Sequence, residues 1–290
     1  MHLFMHVFVH VYQTDPGQHG SRMVNNTAQS IERIDLNCDM GESFGSYILG
    51  MDEEVIHHIS SANIACGFHA GDPQVMRRTV RLALAHGVAI GAHPGFPDLL
   101  GFGRRGMHCT LAEIEDYITY QVGALQAFCQ AEGGRLHHVK PHGALYNQIA
   151  TDPAMLRAIA RAIQAIDPTL LLMVLAGPNA TELGQVAAEE GVQVVLEAFP
   201  DRVYESDGTL RARTKPDAVI HDATLVATRA LNMVQHGVIE AHDGTLVPMQ
   251  VHSLCVHGDG PNSVGMVATI KNCFAAAGIR VAAVAADLKS

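Results

Sequence analysis

The chain has 290 residues, of which 48% are hydrophobic and only 17% charged, and its net charge is −10. That balance excludes a general nucleic-acid binder, which needs basic residues to neutralise phosphates. It also lacks any run of about 18 apolar residues able to span a bilayer as a helix. What it offers is apolar material for a large core under a modest polar surface, as in a parallel sheet wrapped by helices.

Taken in chain order, the first segment stands apart. Met1 to Tyr12 alternates apolar residues with His, and Arg22 is the first Lys or Arg. A signal peptide would carry a basic start and a small-residue cleavage site. Residues 1–30 therefore read as a leader outside the folded unit, with the working protein beginning near Met23. From Ile34 onward one pattern recurs: a short apolar run, a polar turn, then an amphipathic stretch. The runs are Ile34–Cys38, Ala62–Cys66, Val88–Ala92, Leu136–Lys140, Leu170–Ala176, Val192–Ala198 and Gln250–Val256, each read as a buried strand. Helix starts follow from local chemistry. Asp72-Pro73 and Asp152-Pro153 supply an N-cap and a proline at the first helical position. Thr110 and Glu113 have capping-box spacing. Pro178, Asp222 and Ser263 open further stretches, which close near Gly191, Gly237 and Gly278. About seven strand–helix units in series imply parallel strands with right-handed crossovers. The expectation is one α/β-barrel domain over residues 31–290, with an open doubly wound sheet as the alternative. Six cysteines without a CxxC pair, in a chain too long to need disulfide staples, read as reduced thiols of a cytoplasmic protein.

In either architecture the loops after the strand ends build the active site. Those loops carry Asn37, Asp39 and Glu42; then His69 and Asp72; then His93; then Lys140 and His142; then Glu197, Asp201 and Arg202; and last His257 and Asp259. Six loops of acids, bases and glycines on one rim are hard to explain by packing. Singly, several have plainer readings: Asp72, Glu42 and Asp259 as helix caps, and the glycines as turn residues. Lys140 directly follows an apolar strand, so its head reaches the rim, where it would hold an anion or pair with Asp39 or Glu197. Arg202 and Arg104-Arg105 add anion contacts, and the glycine-rich turn before Ser263 offers a helix N-terminus. Asp39, His69, His93, His142 and His257 are metal-ligand types. No H-E-x-x-H or H-x-x-x-H spacing is present, though ligands drawn one per strand would leave no local signature. Neither a P-loop nor a G-x-S-x-G elbow occurs.

At these loops the sequence resembles the LamB/YcsF family. The matching segments are IDLNCDMGESFG from Ile34, SANIACGFHAGDP from Ser61, VAIGAHPGFPDLLGFGRR from Val88, HVKPHGALYNQ from His138, EAFPDRVYESDGTL from Glu197 and VHSLCVHGDGP from Val251. The resemblance implies a seven-stranded α/β barrel of the glycoside hydrolase/deacetylase type. It implies ATP-dependent opening of 5-oxoproline to glutamate, with ATP and magnesium as co-substrate, in an assembly with partner subunits B and C. Carried onto this chain, the motif residues are Asn37, Asp39, Glu42, Asn63, His69, Asp72, His93, Lys140, His142, Asn147, Asp201, Arg202, Tyr204, His257 and Asp259. Gly95, Pro200 and Arg211-Ala212 depart from the family pattern without removing an ionisable side chain. Of these residues, Asp39, Glu42, His69, His93, Lys140, His142 and His257 are expected to take part in catalysis, and the rest, with Glu197, to bind substrate. An acid such as Asp39 or Glu42 would activate water, and a histidine such as His69, His93 or His142 would protonate the leaving nitrogen. A metal-dependent deacetylase or amidohydrolase working alone, and a non-catalytic binding component of a complex, are the competing readings.

Overall fold

The computed structural model describes residues 31–256 and 263–285. The leader over residues 1–30 and the candidate residues His257 and Asp259 lie outside the described residues.

In chain order the elements are β1 (Arg33–Met40), α1 (Asp52–Val55), β2 (Ser61–Ala65), α2 (Pro73–Ala85), β3 (Ala89–His93) and α3 (Leu111–Ala131). They continue with β4 (Leu136–Val139), α4 (Gly143–Ile149), α5 (Pro153–Ile166), β5 (Leu171–Leu175), α6 (Ala180–Glu189) and β6 (Val194–Ala198). The chain then forms α7 (Ala223–His236), β7 (Val238–Glu240), β8 (Leu246–Pro248), β9 (Ser253–Cys255), α8 (Ser263–Ala276) and β10 (Arg280–Val281). Strands β1 to β6 pair in sequence, all parallel; β9 pairs with both β6 and β1 and closes the ring. The result is a seven-stranded parallel barrel, as the strand–helix count and the family resemblance both lead one to expect. The open-sheet alternative is excluded by the β9 pairings.

The helix starts are those the caps dictate. The carboxylates of Asp72, Asp152 and Asp222 each accept two backbone N–H bonds in the first turn of α2, α5 and α7. Thr110 and Glu113 form the full capping box of α3. Gly237 ends α7 in the left-handed conformation that favours glycine. Four short features are not expected from the pattern: α1, α4, the antiparallel β7–β8 hairpin and β10, which pairs with the start of β1. Each is too short to leave a clear period. The last barrel strand is also shorter than the apolar run Gln250–Val256. No helix among the described residues is long and apolar enough to cross a membrane.

The barrel bore is polar where most barrels of this kind pack aliphatic layers. Asp35, buried at its base, accepts from the hydroxyls of Ser60, Ser61 and Ser253. Burial raises its pKa although those hydroxyls pull it down. Above it, the Asn37 amide donates to Ser253 at 2.7 Å and to Glu197 at 2.8 Å. Asn63 donates to Asn37 at 2.7 Å and to Asp39 at 2.8 Å, and accepts from the His138 ring at 2.7 Å. Room for that ring comes from Gly91, where a Cβ would stand 2.0 Å from His138 Nε2. This column of hydrogen bonds runs up to the strand C-termini.

Candidate active site

At that end the strand ends enclose a cavity of about 590 Å3. Asp39 comes from β1, His93 from β3, and Lys140 and His142 from the turn between β4 and α4. Glu42, Asn147 and Arg202 also line it, with Arg104 from the β3–α3 loop and Arg211 and Arg213 from the β6–α7 loop. Asn37, Asn63 and Glu197 are fully buried behind this lining.

Lys140 lies at the centre. Its Nζ is 2.9 Å from Asp39 Oδ1, 2.9 Å from Glu197 Oε1 and 3.1 Å from Cys255 Sγ. Burial alone would depress its pKa; the Asp39 carboxylate, with further help from Glu197, overcomes this and holds the ammonium well above its usual value. The ion-pair reading is therefore realised: the head borders the cavity, where two carboxylates already fix it. Burial pushes the neighbouring Cys255 thiol well up, so it stays protonated.

Beside Lys140 three imidazoles converge. The His69 and His142 rings are stacked, 3.7 Å between centroids and 1° from parallel, and His93 stands edge-on to both. His93 Nδ1 lies 2.7 Å from the Lys140 carbonyl, and its Nε2 is 3.3 Å from Asp39 Oδ2 and 2.9 Å from His142 Nδ1. His142 Nε2 lies 2.8 Å from the Phe102 carbonyl. Burial, then the charge of neighbouring histidines, keeps the pKa of His69 and of His142 well below the usual value. His69 is thus neutral, and its 3.8 Å approach to Glu42 is not an ion pair. One donor atom from each of Glu42, His69, His93 and His142 falls within 4.8 Å of the others, a set able to hold a metal ion. Asp39, the other metal candidate, borders this set through His93.

Some expected binding residues do other work. Asp72 caps α2 and also accepts from Gly45 N at 2.8 Å, tying the β1–α1 loop to the helix. Arg202 donates to the carbonyls of Ala218 and Arg211, so it braces the β6–α7 loop while one side borders the cavity. The Tyr204 hydroxyl, fully buried, accepts from Phe199 N at 2.9 Å. Asp201 is buried at the start of the same loop, where its carbonyl accepts from Ile220 N. The cavity also uses residues that the sequence does not single out as ligand contacts: Phe199, whose ring lies 5.3 Å from Lys140 Nζ, and Arg211 and Arg213. The R-A-R spacing of the two arginines is their one signal.

The sequence profile of the LamB/YcsF family matches residues 34–289. A relative from Brevibacillus brevis, named as the A-subunit of 5-oxoprolinase, is 50% identical over 253 residues, 87% of this chain and 98% of that protein. Its namesake from Natranaerobius thermophilus is 52% identical, covering 86% of this chain and 95% of its own. The crystal structure of a lactam utilization protein from Thermus thermophilus superposes with a TM-score of 0.80 at 47% identity, over 87% of this chain and 99% of that one.

Proposed function

Because the chain belongs to the LamB/YcsF family, we propose that its cavity opens 5-oxoproline to glutamate in a reaction coupled to ATP hydrolysis, as the A-subunit of an assembly with subunits B and C. The observation that carries this reading is a buried Lys140 ammonium fixed against Asp39 beneath a cavity bordered by Arg104, Arg202, Arg211 and Arg213. The substrate carries a carboxylate, and activation by ATP adds phosphate, so cationic walls suit both.

A lactam is a poor electrophile. Transfer of the γ-phosphoryl group to the lactam oxygen leaves ADP and an imidate phosphate, whose carbon is open to water. Asp39, held as a carboxylate by Lys140, takes the proton of that water and returns one to the ring nitrogen as the C–N bond breaks. A second water then releases phosphate from the resulting acyl phosphate. Lys140 and the arginines stabilise charge that develops on oxygen and phosphate. Magnesium enters with ATP. Free cysteines throughout the described residues fit the reducing cytoplasm.

The test is glutamate release from 5-oxoproline and ATP by this chain alone, by subunits B and C alone, and by all three. Glutamate with ADP only from the full mixture is expected. Turnover by this chain without ATP would instead support a stand-alone amidohydrolase, the reading that the histidine cluster favours. No glutamate from an assembled complex would reject the proposal.

A further inference from the structure

The hydrogen bonds around His93 and His142 fix where their protons lie. A backbone carbonyl can only accept, so His93 must carry a proton on Nδ1 to meet the Lys140 carbonyl at 2.7 Å. By the same reasoning, His142 must carry one on Nε2 to meet the Phe102 carbonyl at 2.8 Å. If both rings are neutral, their remaining nitrogens, His93 Nε2 and His142 Nδ1, present two lone pairs to each other at 2.9 Å. That contact is repulsive unless a cation lies between or beside them. The third ring makes the same demand independently. His69 is wholly buried, and neither of its nitrogens has a hydrogen-bond partner among the described residues. A buried polar side chain left without partners calls for an occupant. Its Nε2 is turned toward Glu42 Oε1, and the four donors lie within 4.8 Å of one another.

We propose that His69, His93 and His142, with Glu42, bind a divalent first-row transition metal ion such as zinc beside Asp39 and Lys140. Two cations could in principle resolve the lone-pair contact, a proton or a metal. A proton on His93 would satisfy His142 and Asp39 but leave His69 bare; a metal engages all three rings. Nitrogen donors select zinc-like ions over magnesium or calcium, which take oxygen. In a tetrahedral zinc site the ligand atoms sit roughly 3.3 Å apart, from Zn–N of about 2.0–2.1 Å, close to the 2.9 Å seen between the two rings. The carbonyls of Lys140 and Phe102 are the outer hydrogen bonds that orient metal-binding imidazoles. Binding of the ion follows from the chain alone; its role, polarising the lactam oxygen or a water next to Asp39, rests on the function proposed above. With the rings so engaged, His69, His93 and His142 are ligands rather than the proton donors expected from sequence.

The test uses the full-length chain stripped with a chelator and titrated with zinc chloride, followed by elemental analysis after desalting. The leader contains further histidines, so the count is read as a difference. The wild type should retain one zinc per chain more than the His93→Ala/His142→Ala double variant, and His142→Ala should weaken that site at least 100-fold. Because these variants could misfold, cobalt chloride added to the stripped wild type supplies a second reading. A strong visible band of four-coordinate, nitrogen-ligated cobalt is expected, and magnesium chloride in excess should not suppress it. Equal zinc counts in wild type and variant, or a cobalt spectrum no different from the free aqueous ion, would overturn the proposal and leave the proton as the cation. Neither readout uses turnover. A complex that releases glutamate but binds no zinc would sink only the metal site, and one that binds zinc but releases no glutamate would sink only the oxoprolinase reading.

Discussion

Lys140 is a charge that the barrel interior would not accept alone. Its ammonium is almost fully buried, and Asp39 and Glu197 sit at 2.9 Å on either side. Removing one partner of a buried pair leaves uncompensated charge and costs about 3–5 kcal/mol. Lys140→Ala therefore both destabilises the fold and strands two carboxylates at the cavity floor. Asp39→Asn is the milder change, since it keeps the volume and an oxygen for Lys140 while removing the proposed base. Both variants should abolish glutamate release in a complex that still assembles, with Asp39→Asn less destabilised than Lys140→Ala because Glu197 still pairs the ammonium. Wild-type rates from the two would reject the assigned roles. The sequence made Lys140 legible because a lysine directly after an apolar strand must reach the rim. It also offered Glu197, 57 positions later in the chain on β6, as an alternative ion-pair partner, but did not reveal that Asp39 and Glu197 hold the ammonium together. Nor could it show that Arg202 spends two of its donors on loop carbonyls.

Among the elements, those set by local chemistry were readable and those set by distant contacts were not. Asp72, Asp152, Asp222 and the Thr110–Glu113 pair start helices because their side chains satisfy N–H groups two or three residues away. The β3–α3 loop is different. Phe102 and Gly103 both take positive φ, at 54° and 62°, an uncommon conformation for a phenylalanine. What holds them is remote in sequence: Ala144 N donates to the Gly103 carbonyl at 2.9 Å, and His142 donates to that of Phe102. Asp98 anchors the same loop through Arg105 and Gly101, and that pairing, led by the Arg105 hydrogen bond, draws its carboxyl down to about 2. Gly103 fits under the histidine stack only because it lacks a side chain; a Cβ there would come within 2.8 Å of both the His142 ring and His69 Cβ. Gly103→Ala should therefore cost about 1–3 kcal/mol, the range for overpacking a filled interior. It should also lower turnover by more than that loss of folded protein explains, because it displaces two rings of the site. Urea denaturation and glutamate release, measured on the same preparation, check this; unchanged values for both would mean the loop yields without moving the histidines.

For the molecule as a whole, the seven apolar runs announced a ring of parallel strands, but closure itself was not written in any one of them. The seam lies between β6 and the three-residue β9, and its hydrogen bonds are partly borrowed from a side chain. His252 N donates to the Leu196 carbonyl at 2.8 Å, while its own ring nitrogen Nδ1 accepts from Leu196 N at 3.1 Å. That second bond exists only while Nδ1 keeps its lone pair. Burial lowers the His252 pKa, as it lowers that of His138 inside the bore. The linkage sign follows: a histidine whose folded pKa lies below its unfolded value, about 6.5, binds its proton more readily when the chain is unfolded. Its full contribution is present above about pH 6.5 and is lost as pH falls from there through the folded pKa. The urea midpoint should accordingly drop between about pH 7.5 and pH 5.5. His252→Asn places a non-titrating oxygen where Nδ1 stands, so the variant should keep the seam bond and show a shallower drop over that interval. If its pH dependence equals that of the wild type, His252 takes up no proton on unfolding in this range, and the acid sensitivity of the barrel lies with His138 in the bore and with His69 and His142 at the cavity rather than in the strand pair that closes the ring.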